Sequence, residues 1–132
     1  MKYLIDSHVL LWALFKPSEL SQRIKIILND SANTIYVSSV SYFELSLKYS
    51  LGKLELKKYE PEDLLHEANK LGFVNLNLNS EDASGLHLLQ FGDHKDPFDK
   101  MLFWQAIKNK MKFITRDSRA SAYAEQGLDV IW

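Results

Sequence analysis

Lys2-Tyr3-Leu4-Ile5-Asp6-Ser7-His8-Val9-Leu10-Leu11-Trp12 joins a short apolar run to an acid and then to a second apolar run. Lys2 to Ile5 reads as a strand, and Val9 to Trp12 as part of a helix whose start Asp6-Ser7 supplies. The unit recurs along the chain. A helix from about Leu20 to Asn29 leads to a strand at Ile35-Tyr36-Val37, and serines then precede a helix from about Tyr42 to Leu51. Glu60-Pro61 starts a helix running to about Leu71 that Gly72 ends, ahead of a strand at Phe73 to Leu76. Ser80 to Leu89 reads as helix, Asp96-Pro97 starts a long helix to about Asn109, and Lys112 to Thr115 and Leu128 to Ile131 read as the last strands. Strands alternating with helices of about ten residues imply parallel pairing through right-handed crossovers. The expected fold class is α/β: a three-layer α/β/α sandwich with a mainly parallel central sheet, whose chemistry gathers beyond the carboxyl ends of the strands.

At 132 residues the chain suits a single domain, residues 1–132, long enough to bury about two-thirds of the surface its unfolded form exposes. Hydrophobic residues at 46% and charged residues at 25% exclude the disordered and fibrous classes. The longest apolar run, Val9 to Phe15, falls far short of the about 20 residues of a spanning helix. With no charged-then-apolar leader visible, a cytoplasmic location away from any membrane is expected. The absence of cysteine excludes a disulfide framework, a thiolate zinc site and a cysteine nucleophile. A net charge of −1 excludes a protein that holds nucleic acid by bulk charge. A local patch remains, because seven of the sixteen basic side chains lie between Lys95 and Arg119, against three acids there. Charge alone reads that patch equally as a solvated helix face. No repeat, linker or low-complexity stretch divides the chain.

Four acids follow strands or sit early in helices: Asp6, Glu44, Asp99 and Asp117. Each has a local explanation. Asp6 or Ser7 suits an N-cap, Ser41 to Glu44 a capping box, Asp96-Pro97-Phe98-Asp99 a cap with a first-turn proline and a dipole-favoured acid, and Asp117 a turn into Ser118. Helical periodicity strains these explanations. At about 100° per residue, Glu44 shares a stripe with Val40, Leu47 and Leu51, and Asp99 with Leu102, Phe103 and Ala106, so both acids point toward buried faces. Two carboxylates about 5 Å apart repel by roughly 3 kcal/mol at an effective dielectric near 20, and burying one unpaired costs several kcal/mol more. No Lys or Arg directly follows the first two strands, and convergent oxygens are the ligands that Mg²⁺ or Mn²⁺ prefers. A divalent metal is therefore the economical counter-charge, and phosphoester chemistry its natural task.

Tyr3-Leu4-Ile5-Asp6-Ser7-His8, Ser41-Tyr42-Phe43-Glu44-Leu45, His94-Lys95-Asp96-Pro97-Phe98-Asp99-Lys100-Met101-Leu102 and Ile114-Thr115-Arg116-Asp117 together resemble, in order and spacing, a PIN domain of the VapC toxin type. The similarity runs from the first strand to Val130-Ile131-Trp132. The resemblance implies a metal-dependent endoribonuclease, the toxin of a type II toxin–antitoxin pair, usually a homodimer and held inactive by a small cognate antitoxin protein. It implies Mg²⁺ or Mn²⁺ as cofactor, Asp6, Glu44, Asp99 and Asp117 as the catalytic and metal-holding acids, and Asp96 as an additional acid. Phe103-Trp104 departs from the small or aliphatic residues common in the family, and Lys100 stands where arginine is frequent.

Around these acids, Ser7 and Thr115 are candidates to hydrogen-bond and orient the carboxylates, or to cap backbone. His94, Lys95, Lys100 and Arg116 are candidate contacts to the backbone of an RNA substrate, although His8 and His94 equally suit surface or packing roles. Trp12, Phe15, Tyr42, Phe43, Phe103 and Trp104, at helical spacing, read as core or subunit contacts rather than base-stacking groups. Glycines 52, 72, 85, 92 and 127 form no phosphate loop, which disfavours dinucleotide and nucleoside-triphosphate enzymes. Two rival classes are a receiver-like signalling module, which needs a second acid beside Asp6, and a binding-only module that contacts RNA or an antitoxin without turnover.

Overall fold

β1 (Lys2–Ile5) lies inside the sheet, flanked by β2 (Thr34–Ser38) on one side and β4 (Lys112–Ile114) on the other. The computed structural model describes residues 1–92 and 94–132, and among these β3 (Val74–Leu76) and β5 (Val130–Ile131) complete a five-stranded sheet of order β3-β2-β1-β4-β5. Every pairing is parallel. Ile5 sits in register with both Val37 and Ile114, which brings the carboxyl ends of the three middle strands level. The chain steps outward from β1 to β3 and then returns to the other side of β1 for β4 and β5. The strand order therefore reverses between β1 and β4, and a parallel sheet opens a crevice at such a point.

Helices cover both faces, as a parallel sheet requires. Alternation along β1 sends Tyr3 and Ile5 to one layer and Leu4 to the other. The first layer packs Val9 and Leu10 of α1 (Ser7–Phe15), Ile24 of α2 (Gln22–Asn29), Leu45 of α3 (Ser39–Ser50) and Leu64 and Ala68 of α4 (Pro61–Lys70) onto Ile35, Val37 and Ile114. The second packs Leu102, Phe103 and Ala106 of α6 (Pro97–Lys108), with Ala120 and Tyr123, onto Leu4 and Phe113. The expected three-layer α/β/α sandwich is the fold. No helix among the described residues is long and apolar enough to cross a membrane.

The structure departs from the sequence reading in several places. α3 begins at Ser39 rather than near Tyr42, because the Ser38 hydroxyl accepts the Val40 N–H at 3.0 Å and caps the helix. The Ser41–Glu44 capping box is consequently not made, and the buried Ser41 hydroxyl has no hydrogen-bond partner among the described residues. The helix expected over Ser80 to Leu89 stops as α5 (Ser80–Gly85) and tightens into a 3-10 turn at Leu86–Leu88. There the Trp104 indole N–H donates to the Asp82 carbonyl at 2.9 Å, taking the acceptor that a continuing α-helix would offer to Leu86. A 3-10 segment at Ser118–Gln126 was not foreseen; its buried Ala120 and Tyr123 are spaced by three, the period of that helix rather than of an α-helix. The stripe expected to bury Glu44 is also only half covered, since Val40 is buried but Leu51 is 59% exposed.

Leu4, wholly buried between β1's two neighbours and α6, tests this packing. Leu4→Ala is expected to cost about 2–5 kcal/mol in urea unfolding, whereas a loss below about 1 kcal/mol would contradict the two-sided burial of β1.

Candidate active site

Asp6 stands at the crevice between β1 and β4. Its backbone N–H donates to the Ile114 carbonyl at 3.2 Å, tying the end of one strand to the end of the other. Its side chain caps α1 by accepting the Val9 N–H at 2.8 Å, and its second oxygen accepts the Thr115 hydroxyl. Thr115 in turn accepts the Asp117 N–H at 3.1 Å, which fixes the turn leaving β4. Glu44 enters from α3 and is only 3% exposed. The Ser7 hydroxyl donates to one of its oxygens at 2.6 Å and Lys48 Nζ, one turn along α3, to the other at 2.5 Å.

Asp96 and Asp99 come from the start of α6. Asp96 is its N-cap, accepting the N–H groups of Phe98 and Asp99 at 2.9 and 3.3 Å. Asp99 lies one turn in, with its Oδ2 3.1 Å from His94 Nε2 and 3.9 Å from Arg119 Nη2. Asp117 caps the 3-10 segment through the Arg119 N–H at 2.9 Å and is gripped by the Arg119 side chain, Nη2 lying 2.8 Å from Oδ2. Arg119 thus bridges Asp117 and Asp99.

The charges of these groups interact. Burial pushes the Asp6 carboxyl above the usual carboxylate range and the Glu44 charge adds to the push, against hydrogen bonds from Thr115 and Val9. Burial is also the largest influence on Asp99, which with the charges of Asp96 and Glu44 is raised to about 6. Glu44 acts on both, so Asp6, Glu44 and Asp99 share one field. Asp117 lies outside this effect: its hydrogen bonds to Arg119 hold its carboxyl below the usual range. Among the described residues, no three His, Asp or Glu side chains are grouped closely enough to hold one ion with the side chains as they stand.

The sequence reading missed one partner. Glu44 followed four residues later by Lys48 is the spacing of a helical ion pair, so the signal was present even though no base directly follows the first two strands. Of the two roles open to His94, the packing one has a visible basis: its side chain is 6% exposed and lies edge-on against Phe103 and Tyr123, and among the described residues its buried Nδ1 has no hydrogen-bond partner. No periodicity could announce this, because the loop before α6 folds back on the helix. Lys95 lies on the surface beside Asp96 and Arg119, along a groove that also touches Gln90 and Gln126. Lys100 places its ammonium 3.7 Å over the Phe91 ring, and Arg116 its guanidinium 4.3 Å over the Trp12 ring.

Asp99 makes the electrostatics measurable. The unfolded chain ionises this group near 3.8 and the folded protein only at about 6. Its contribution to stability is therefore complete below about pH 4 and is lost as pH rises through about 6, because the unfolded state gives up the proton first. A shift of two units corresponds to about 3 kcal/mol, reduced to about 2 kcal/mol by partial exposure to water. In EDTA, Asp99→Asn is expected to gain about 2 kcal/mol on the wild type between pH 4 and pH 7; parallel urea-unfolding free energies across that range would refute the assignment.

The chain matches the PIN domain family over residues 3–126. A comparison with curated proteins finds no match. Among solved structures it is similar to VapBC2 from Rickettsia felis bound to a DNA fragment from its promoter, with a TM-score of 0.68, 16% identity, and 99% of this chain and 98% of that chain covered. It is similar to DNA-bound VapBC from Salmonella typhimurium at a TM-score of 0.69 and 16% identity, covering 99% and 97%. It is also similar to FitAcB from Neisseria gonorrhoeae at 0.61 and 20% identity, covering 98% and 96%. The strand order β3-β2-β1-β4-β5 differs from the 2-1-3-4-5 order of receiver-like folds, which removes that alternative. With the match spanning nearly the whole chain and the parallel sheet already described, this protein belongs to the PIN domain family.

Proposed function

We propose that residues 1–132 act as one PIN domain, a Mg²⁺- or Mn²⁺-dependent endoribonuclease that serves as the toxin of a type II toxin–antitoxin pair in the cytoplasm. What supports this reading is that Asp6 after β1, Glu44 on α3 and Asp99 at the start of α6 act on one another's charge, with burial and repulsion raising two of the three carboxyls. Family membership supports nuclease activity, and the likeness to VapBC chains supports a toxin role.

The donor set fits a hard dication in its chemistry: carboxylate oxygens in excess of the local cations, and no thiol in the chain. Asp6, Glu44, Asp99 and Asp117 would hold the ion, with Asp96 adding negative charge while it caps α6. When bound, the metal lowers the pKa of a water and offsets charge on the phosphate. The chain's own residues do the positioning. Ser7 and Thr115 orient Glu44 and Asp6 by hydrogen bonds, and His94 holds one oxygen of Asp99. Lys48 and Arg119 occupy oxygens of Glu44 and Asp117 that would have to be released for those carboxylates to hold an ion. Lys95 and Lys100 contact the RNA backbone, which positions the strand without selecting its sequence. Attack of water in line with the ribose 3′-oxygen leaves 5′-phosphate and 3′-hydroxyl ends.

A small antitoxin and a second copy of the chain are the partners of this reading. Phe43, 63% exposed, together with Leu47, Leu51 and the adjoining Phe98 offers apolar surface for such contacts. The ion pairs of Glu44 with Lys48 and Asp117 with Arg119 favour one second reading, a module that binds RNA without turnover.

Incubating the purified, partner-free protein with structured RNA in Mg²⁺ or in EDTA separates the two readings. Cleavage is expected in Mg²⁺ alone, with Asp6→Asn and Asp99→Asn each reduced to background while their far-UV circular dichroism stays that of the wild type. Calorimetric titration with Mn²⁺ is expected to register uptake by the wild type and weaker uptake by each variant. Unchanged cleavage in both variants would defeat the acid assignment, and binding without turnover in Mg²⁺ would favour the second reading.

A further inference from the structure

Trp12 and Arg116 meet beside the acidic cluster. Arg116 follows Thr115, the donor to Asp6, and precedes Asp117, whose N–H returns to the Thr115 hydroxyl, so the backbone carrying it is held at both sides. Its guanidinium carbon lies 4.3 Å from the centroid of the Trp12 ring, and Nη1 is 3.3 Å from Glu19 Oε2. Trp12 is itself supported by Trp132, whose ring meets it edge-on at 5.9 Å, and exposed His8 lies one turn earlier on α1. A planar cation is thereby fixed by one face and one edge while its side chain remains 52% exposed. Trp12 follows Asp6 by six residues, about 9 Å along the helix axis, within reach of a nucleotide next to a phosphate at Asp6.

Resting on the nuclease reading above, we propose that the outer face of the Arg116 guanidinium, backed by Trp12, is a stacking platform for an unpaired nucleobase adjacent to the cleaved phosphate. Glu19 decides for a base over a phosphate. Its carboxylate already neutralises the guanidinium edge and repels a second anion there, whereas the open π face keeps its affinity for a base. Such stacking tolerates any sequence, because every base has a π face. The role differs from that expected of Arg116 as a backbone contact and of Trp12 as a core residue.

The test uses short single-stranded RNA, intact or carrying one abasic residue at each position in turn. Each RNA is titrated in EDTA against the wild type and Arg116→Lys by tryptophan fluorescence, at several salt concentrations, with cleavage by the wild type in Mg²⁺ run in parallel. Lysine keeps the charge and loses the plane. Arg116→Lys is expected to bind intact RNA about ten-fold more weakly, with the wild-type salt dependence, and to lose the wild type's penalty for an abasic residue at one position. Arg116→Lys binding intact RNA as tightly as the wild type, or abasic penalties that persist unchanged in it, would overturn the platform. If the wild type cleaves RNA but the variant binds unchanged, the platform alone fails; if the wild type neither binds nor cleaves RNA, the nuclease reading falls and takes the platform with it.

Discussion

Repulsion between carboxylates at one end of a parallel sheet is the constraint around which this molecule is arranged. Parallel strands in level register bring their carboxyl ends to one edge, and the reversal of strand order between β1 and β4 opens that edge into a crevice. Asp6 stands in the crevice because it is the residue after β1, and Glu44 and Asp99 act on the same field from the second turn of α3 and the first turn of α6. The sandwich brings them together while each would be better solvated apart. Burial and mutual charge hold the carboxyls of Asp6 and Asp99 above their ordinary range in consequence.

The protein meets this repulsion locally, acid by acid. Lys48 pairs with Glu44, Arg119 grips Asp117 and approaches Asp99, the Thr115 hydroxyl serves Asp6, and His94 serves Asp99. These partners differ in kind. Arg119 is a full cation in bidentate geometry and holds Asp117 below the usual carboxylate range, whereas the hydroxyl on Asp6 does not offset its desolvation. The result is a gradient, with Asp117 well neutralised and the Asp6–Glu44–Asp99 side deficient in positive charge. That deficit lies where the sheet's crevice opens and supports the proposed dication.

Legibility in the sequence followed the range of the forces involved. Strand and helix identity could be read from apolar runs and periodicity, and Gly72, with a φ of 84°, ends α4 where a left-handed residue was required. The errors came where a side chain redirected the backbone, from far along the chain in one case and from the strand end beside the helix in the other. Trp104 captured the Asp82 carbonyl and shortened a helix, and Ser38 rather than Ser41 supplied the α3 cap. The acids of the candidate site stood out in the sequence because each stands at a strand end or on an apolar helical stripe. For His94 a packing role was among the readings, but its neighbours were not legible, because Phe103 and Tyr123 stand nine and twenty-nine positions away along the chain. Lys48 was legible in principle, through its i,i+4 spacing from Glu44.

The amino-acid sequence by itself determined the layered α/β plan, the placement of acids just past strands and early in helices, and the exclusion of thiol chemistry, because these depend on local periodicity and on composition. Tertiary structure alone decided which acid received which partner, that His94 is buried against Asp99, and that Trp12 carries the Arg116 guanidinium on its ring. Those outcomes depend on distances between residues that only folding makes neighbours. Electrostatic and stacking energies fall off within a few ångströms, so no spacing along the chain could have announced them.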